Sequence, residues 1–303
     1  MNQTVEPDPS MIGGVDEAVF ALLPRPMTLF QTRAKRFAFL AESSELKPYL
    51  AFLAELTRLQ ARLLVQLPPL KPLMSADIAR AKAAKMPLID RAALVDDPEL
   101  IMTLAALTEE AAQLEMPEPA RIALNAVRSA LESDRRWLLG NVLSDTIPED
   151  STAPHLFTWA AVQLHMARLA ANLDPADLQP VSVGVCPSCG GRPAVSAVKS
   201  DDKIENVRYC TCATCATQWN EVRVKCMCCG STKGISYRSA ETHEATVKAE
   251  CCSECNSWVK ILYQNKNPSL EPMADDVGSL GLDMMMKQSP FKRAGFNPLM
   301  VGY

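Results

Sequence analysis

CPSCGG at 186–191, CATC at 212–215, CMCCG at 226–230 and CSEC at 252–255 organise this chain. All eleven cysteines lie between Cys186 and Cys255, and eight of them form four C-x-x-C pairs: Cys186/Cys189, Cys212/Cys215, Cys226/Cys229 and Cys252/Cys255. The first and third pairs are 40 residues apart, as are the second and fourth, so C-x2-C-x22-C-x2-C is written twice in one register. That is an internal repeat.

A C-x-x-C followed by glycine suits a metal knuckle, because the second sulfur and the amides behind it fold back onto one ion. Gly190 and Gly230 stand where that turn comes. Four thiolates around one ion give a closed tetrahedral site with no open position for a substrate, and zinc and iron both accept it. The spacing therefore predicts two tetrathiolate sites, one per repeat. Disulfides are the rival reading. Nothing in the chain points to secretion, and in a reducing compartment paired C-x-x-C motifs serve as metal ligands or redox pairs.

The 303 residues suffice for two domains, and 48% hydrophobic with 22% charged is ordinary for a globular protein. With 31 basic against 35 acidic residues the formal charge is −4, which argues against non-specific binding to nucleic acid or an anionic membrane surface. The start, MNQTVEPDPSMIGG, has neither a basic n-region nor an apolar h-region, and no apolar run reaches the length of a membrane span. The expectation is a cytoplasmic protein.

Before residue 180 only positions 13, 14 and 140 are glycine, while alanine and leucine abound, which favours helix. After a loosely ordered 1–23, a Thr28/Gln31 capping box opens a helix to Glu42. Pro48 opens a second helix, carried by Tyr49, Phe52, Leu53, Leu56, Leu59, Leu63 and Leu67 and stopped by Pro68-Pro69. Further helices are expected over Ser75–Lys85, from Asp97-Pro98 to Leu114, from Pro119 to Val142, and from Pro154 to Leu173. This is an all-α domain over 1–178. His155, His165 and Trp159 could line a site, but no partner constellation supports one, and packing is the simpler role.

The linker ANLDPADLQP marks a boundary near Pro180. Beyond it, residues 180–262 form a small β-rich domain of two tandem rubredoxin-like or zinc-ribbon-like modules, about 183–222 and 223–262. In each, a hairpin fills the space between the pairs: AVSAVK and IENVRY around Ser200-Asp201-Asp202, then GISYRS and ATVKAE around Ala240–Glu244. Hairpins that small lean on a metal for stability. Trp219 and Trp258 are expected to roof the two sites. Residues 263–303 supply a C-terminal helix of about ten residues through Val277, Leu280, Met284 and Met285, with a tail packing on both domains.

Cys210, Cys228 and Cys251 fall outside the C-x-x-C register, as alternative ligands, redox thiols or small buried hydrophobes. If metal is lost, the crowded thiols can cross-link within a protein or between two, a redox-dependent homo-oligomer. No catalytic grouping stands out: the chain has three histidines and no P-loop, G-x-G-x-x-G or H-E-x-x-H. Asp201/Asp202 and Asp275/Asp276 read as turn and cap residues. The reading is a non-enzyme.

Taken together, PRPMTLFQTRAKRFAFLAE (24–42), PYLAFLAEL (48–56), CPSCGGRP (186–193), CATCATQW (212–219), KCMCCGS (225–231), CCSECNSWVK (251–260), ADDVGSLGLD (274–283) and GFNP (295–298) resemble the formate dehydrogenase accessory protein family, FdhE. The resemblance covers nearly the whole chain. It implies a bacterial cytoplasmic factor that binds the catalytic subunit of a respiratory formate dehydrogenase before export through the twin-arginine pathway. It also implies iron at Cys186, Cys189, Cys212 and Cys215, and at Cys226, Cys229, Cys252 and Cys255, with zinc the alternative that four thiolates equally permit. The extra Cys210, Cys228 and Cys251 depart from that pattern. Two other classes use the same cysteine chemistry. A zinc-ribbon nucleic-acid binder should show a basic face, whereas residues 180–262 hold 10 Lys/Arg against 8 Asp/Glu. A rubredoxin-like or thiol redox protein would shuttle electrons through the iron or the C-x-x-C pairs.

Overall fold

The computed structural model describes residues 18–200, 204–240, 242 and 244–300. The acidic start of the chain, both expected hairpin turn tips in part, and the last three residues lie outside these described residues.

Seven helices occupy the first half: α1 (Pro26–Ala41), α2 (Lys47–Gln66), α3 (Ser75–Ala83), α4 (Pro98–Ala111), α5 (Glu118–Arg128), α6 (Glu132–Leu143) and α7 (Thr152–Ala171). Pro26 sits in the first turn of α1, where its fixed φ suits a helix start, so the chain is already helical at Thr28 and the expected Thr28/Gln31 box caps nothing. Asp97 does cap α4, its Oδ1 accepting from the Glu99 and Leu100 amides at 2.7 and 2.9 Å. The single helix expected over 119–142 is two. Ser129 closes α5 onto the Asn125 carbonyl, Leu131 is extended, and Glu132 and Asp134 place acid in the first turn of α6. Both pack on α7, which is buried nearly all round and forms the axis of the bundle.

The second half is one sheet. β2 (Pro193–Lys199), β3 (Val207–Cys212) and β4 (Gln218–Glu221) form the first repeat, and β5 (Ile235–Arg238), β6 (Val247–Cys252) and β7 (Ser257–Tyr263) the second. Within each repeat the pairing is antiparallel. Between repeats β2 and β7 run parallel, Ser196 opposite Ile261 and Val198 opposite Tyr263, which fuses the modules. β1 (Ala21–Leu22), from before the bundle, pairs with β4; β8 (Lys292–Arg293), from the tail, pairs with β7.

The C-terminal helix is also two, α8 (Pro272–Gly278) and α9 (Leu280–Lys287). Lys260 on β7 causes the break. Its buried ammonium donates to the Asp276 carbonyl at 2.6 Å and the Ser279 carbonyl at 3.2 Å, taking the helix's terminal acceptors. Asp276 and Asp283 neutralise it.

A chain of polar contacts ties bundle to sheet. Arg33 of α1 donates through Nε to Glu271 at 3.0 Å and through Nη1 to Gln163 of α7 at 2.8 Å. Gln163 in turn donates to the Ala213 carbonyl at 3.0 Å, inside the CATC knuckle. Glu271 also caps α8 through the Met273 and Ala274 amides. One continuous apolar cluster runs from Phe30 and Leu50 through α7 to Cys186, Val195, Leu262 and Met273.

Candidate metal centres

The four C-x-x-C pairs close into the two quartets expected. In each, the ligand sulfurs all lie within 4.8 Å of one another: Cys186, Cys189, Cys212 and Cys215, then Cys226, Cys229, Cys252 and Cys255. Across the first quartet Cys186 and Cys215 are 3.6 Å apart and Cys189 and Cys212 3.5 Å; across the second, Cys226 and Cys255 are 3.6 Å apart and Cys229 and Cys252 3.8 Å. An ion with metal–sulfur bonds of about 2.3 Å at the centre of a tetrahedron separates its sulfurs by about 3.8 Å. The donor set therefore fits a tetrahedral metal without rearrangement. None of the eleven cysteines is bridged.

Backbone geometry builds each knuckle. Gly190 (φ +72°) and Gly230 (φ +75°) turn the chain through the left-handed region, so that the Gly190 amide donates to the Cys186 carbonyl at 2.8 Å and the Gly230 amide to Cys226 at 3.0 Å. Ala216 and Asn256, 40 residues apart, make the matching left-handed turns after the second pairs. Amides of Thr214 and Cys215 point at the Cys212 sulfur at 3.4 and 3.5 Å, the arrangement that stabilises a thiolate. Burial pushes the Cys186 thiol well above its ordinary range, and a cation in the quartet reverses that, since a coordinating thiol is deprotonated.

Several groups around the first quartet have no local spacing to betray them. Arg91 forks onto Asp145 at 2.6 and 2.9 Å, and its Nη1 faces Gly191 beside the Cys212 sulfur. Burial works against its charge, but Asp145, with the Cys189 and Cys212 thiols, raises its pKa. The Ile89 amide donates to the Ser188 carbonyl at 2.8 Å, and Pro87 packs on Gly190. Thr217 donates to Ser188 Oγ at 2.9 Å. The repeat does betray this last pair: 40 residues on, Ser257 and Cys228 stand in the same relation.

Two spare cysteines are packing residues. Cys210 lies opposite Trp219 on β3–β4 and Cys251 opposite Trp258 on β6–β7, all four buried. Trp258 does not roof its quartet. Cys252 pairs with Ser257, so the next pair, Cys251 and Trp258, points to the other face, against Leu282 and Met286. Cys228, by contrast, is exposed. His155 is held between Asn141 and the Ser151 carbonyl, edge-on to Trp137, while His165 and Trp159 are buried in the bundle core. None of the three approaches either quartet as a ligand.

A helical bundle joined to a fused pair of zinc-ribbon-like tetrathiolate modules is the class that fold and sites define. Known proteins share both. Residues 18–183 match the family described as FdhE, N-terminal; 185–223 match FdhE, central domain; and 224–300 match FdhE, C-terminal domain. The "Protein FdhE homolog" of Rhizobium meliloti (strain 1021) is 54% identical over 301 residues, 99% of this chain and 98% of that one. That of Proteus mirabilis (strain HI4320) is 34% identical, covering 92% of this chain and 90% of its own. The crystal structure of the FdhE protein from Pseudomonas aeruginosa superposes with a TM-score of 0.83 at 28% identity, over 92% of this chain and 98% of that one. The chain belongs to the FdhE family.

Proposed function

We propose that this protein is a maturation factor for a respiratory formate dehydrogenase, which binds the enzyme's catalytic subunit in the cytoplasm before export through the twin-arginine pathway and turns over no small molecule itself. Family membership over residues 18–300 is the observation that carries this reading. The sites agree with it. A closed tetrathiolate quartet leaves no coordination position for a substrate, so its contribution is to hold surface in place. Among the described residues no helix is long and apolar enough to cross a membrane.

The eight ligands are Cys186, Cys189, Cys212, Cys215, Cys226, Cys229, Cys252 and Cys255, and the ions they take are iron by family resemblance, with zinc chemically equivalent for this purpose. Where the first knuckle meets the bundle, an apolar groove of about 1190 Å³ runs along residues 71–99 to Cys189. Met74 and Met86 on its walls are 69% and 57% exposed, and flexible thioethers suit an irregular partner surface. The subunit therefore meets a composite of bundle and knuckle, whose shape depends on the quartet staying closed.

Co-purification of the catalytic subunit with wild type, Met74→Asp/Met86→Asp and Cys189→Ser forms tests this, together with formate dehydrogenase activity in a strain carrying only each form. Both variants should lose the subunit and most of the activity. Undiminished capture and activity with both quartets stripped of metal would overturn the reading.

A further inference from the structure

The repeat permits a like-for-like comparison of the two quartets, and they differ in cover. In the first, all four sulfur-bearing residues are 2% exposed or less. The bundle seals it at four points: Ile89 on the Ser188 carbonyl, Pro87 on Gly190, Gln163 on the Ala213 carbonyl, and the Arg91 guanidinium beside Cys189 and Cys212. Forty residues on, Cys226 and Cys252 are buried but Cys229 is exposed and Cys255 half-exposed. Among the described residues no hydrogen bond from the bundle reaches either knuckle of the second quartet; the linker residue Val183, itself 38% exposed, packs on Gly230. The position of buried Ser188 is taken by Cys228, an exposed thiol beside Cys226 and Ser257.

We infer that the second quartet is a metal-exchange site, which releases and recaptures its ion by thiolate substitution, while the first quartet keeps its ion for the life of the fold. Substitution at a tetrahedral thiolate centre needs an incoming sulfur to reach the ion, and the exposed Cys229 edge supplies the approach that the sealed first quartet lacks. The incoming thiolate forms one metal–sulfur bond and the Cys229 bond breaks, the Cys229 sulfur leaving as thiolate. No electron moves, and the number of sulfurs on the ion is unchanged. Cys228 is the chain's own incoming ligand: it loses its proton to solvent and takes the vacated position, opening the quartet further. The matching partner is a donor or acceptor bearing soft thiolates. This goes beyond the binding role proposed above and holds whether or not the catalytic subunit docks.

The test uses full-length protein carrying two zinc ions, with excess 4-(2-pyridylazo)resorcinol as chromophoric acceptor and glutathione as the incoming thiolate. One equivalent should leave in a phase that accelerates with glutathione and runs at least about 10-fold faster than the other, the scale on which surrounding groups tune metal sites. Quenching with N-ethylmaleimide after that phase, followed by peptide mapping, should find the label on Cys226, Cys229, Cys252 and Cys255 and not on Cys186, Cys189, Cys212 or Cys215. Cys228→Ser, which installs the residue the first knuckle already carries, should slow the fast phase several-fold and leave the slow one alone. Equal release rates, or label appearing first on the Cys186 quartet, overturn the inference. A fast phase indifferent to Cys228→Ser overturns the role given to that thiol.

Discussion

His165 shows how one residue can tie stability to pH without touching a metal. It is buried, and neither ring nitrogen has a hydrogen-bond partner among the described residues. Burial lowers its pKa from 6.5 to about 4, with Asp97 opposing the shift and Arg168 adding to it. The unfolded chain therefore binds a proton between about pH 6.5 and 4 that the folded chain refuses, so stability falls as pH drops through that window. Integrated from pH 7 to 5, the loss is about 2 kcal/mol. His165→Leu removes the titration, and the difference between the two proteins' urea midpoints should shrink or reverse at pH 5 relative to pH 7. Parallel midpoints at both values would exclude the assignment. At this same scale the eight ligands were legible, because C-x-x-C spacing is local and the repeat doubles it. Trp258 was not, since its face depends on a register: Cys251 sits one place later in its repeat than Cys210, and Trp258 one place earlier than Trp219. The pair stays opposed, but a one-residue shift turns it to the other side of the sheet.

Among the elements, α1, α7 and α8 meet at Arg33, and its partner Glu271 is only 4% exposed. Removing one member of a buried ion pair strands the other, at a cost of about 3–5 kcal/mol. Arg33→Met should lower stability by that order in a denaturant titration, and adding Glu271→Gln should recover a large part of it, since glutamine still caps α8 without a charge. A cost for Arg33→Met below about 1 kcal/mol would mean the tie carries little. The sequence could not announce this contact: 238 residues separate the partners. Helix ends written in one dipeptide, such as Asp97-Pro98, were readable. The ends at Ser129 and Gly278 were not, because the first lacks proline or glycine and the second is set by Lys260, a residue from another strand.

For the molecule as a whole, the decisive pairing is β2 with β7, which turns two metal modules into one sheet, while the apolar cluster beneath runs unbroken into the bundle. Bundle and sheet should then unfold together. Far-UV circular dichroism, dominated by the helices, and pulse alkylation of Cys210, buried in the sheet, should report one urea midpoint. Alkylation that precedes helix loss would divide the molecule in two. The polar tie has a further consequence, in time. Arg33 is among the first tenth of the chain to leave the ribosome, yet its partner Glu271 is made 238 residues later. At bacterial elongation rates of about 5–20 residues per second, that is a wait of roughly 10–50 s. Throughout it the nascent bundle carries a cation meant for its interior and a face meant for a sheet not yet made. Completion of the fold is thereby deferred to the end of synthesis, and for that interval the unfinished face is open to whatever holds nascent chains.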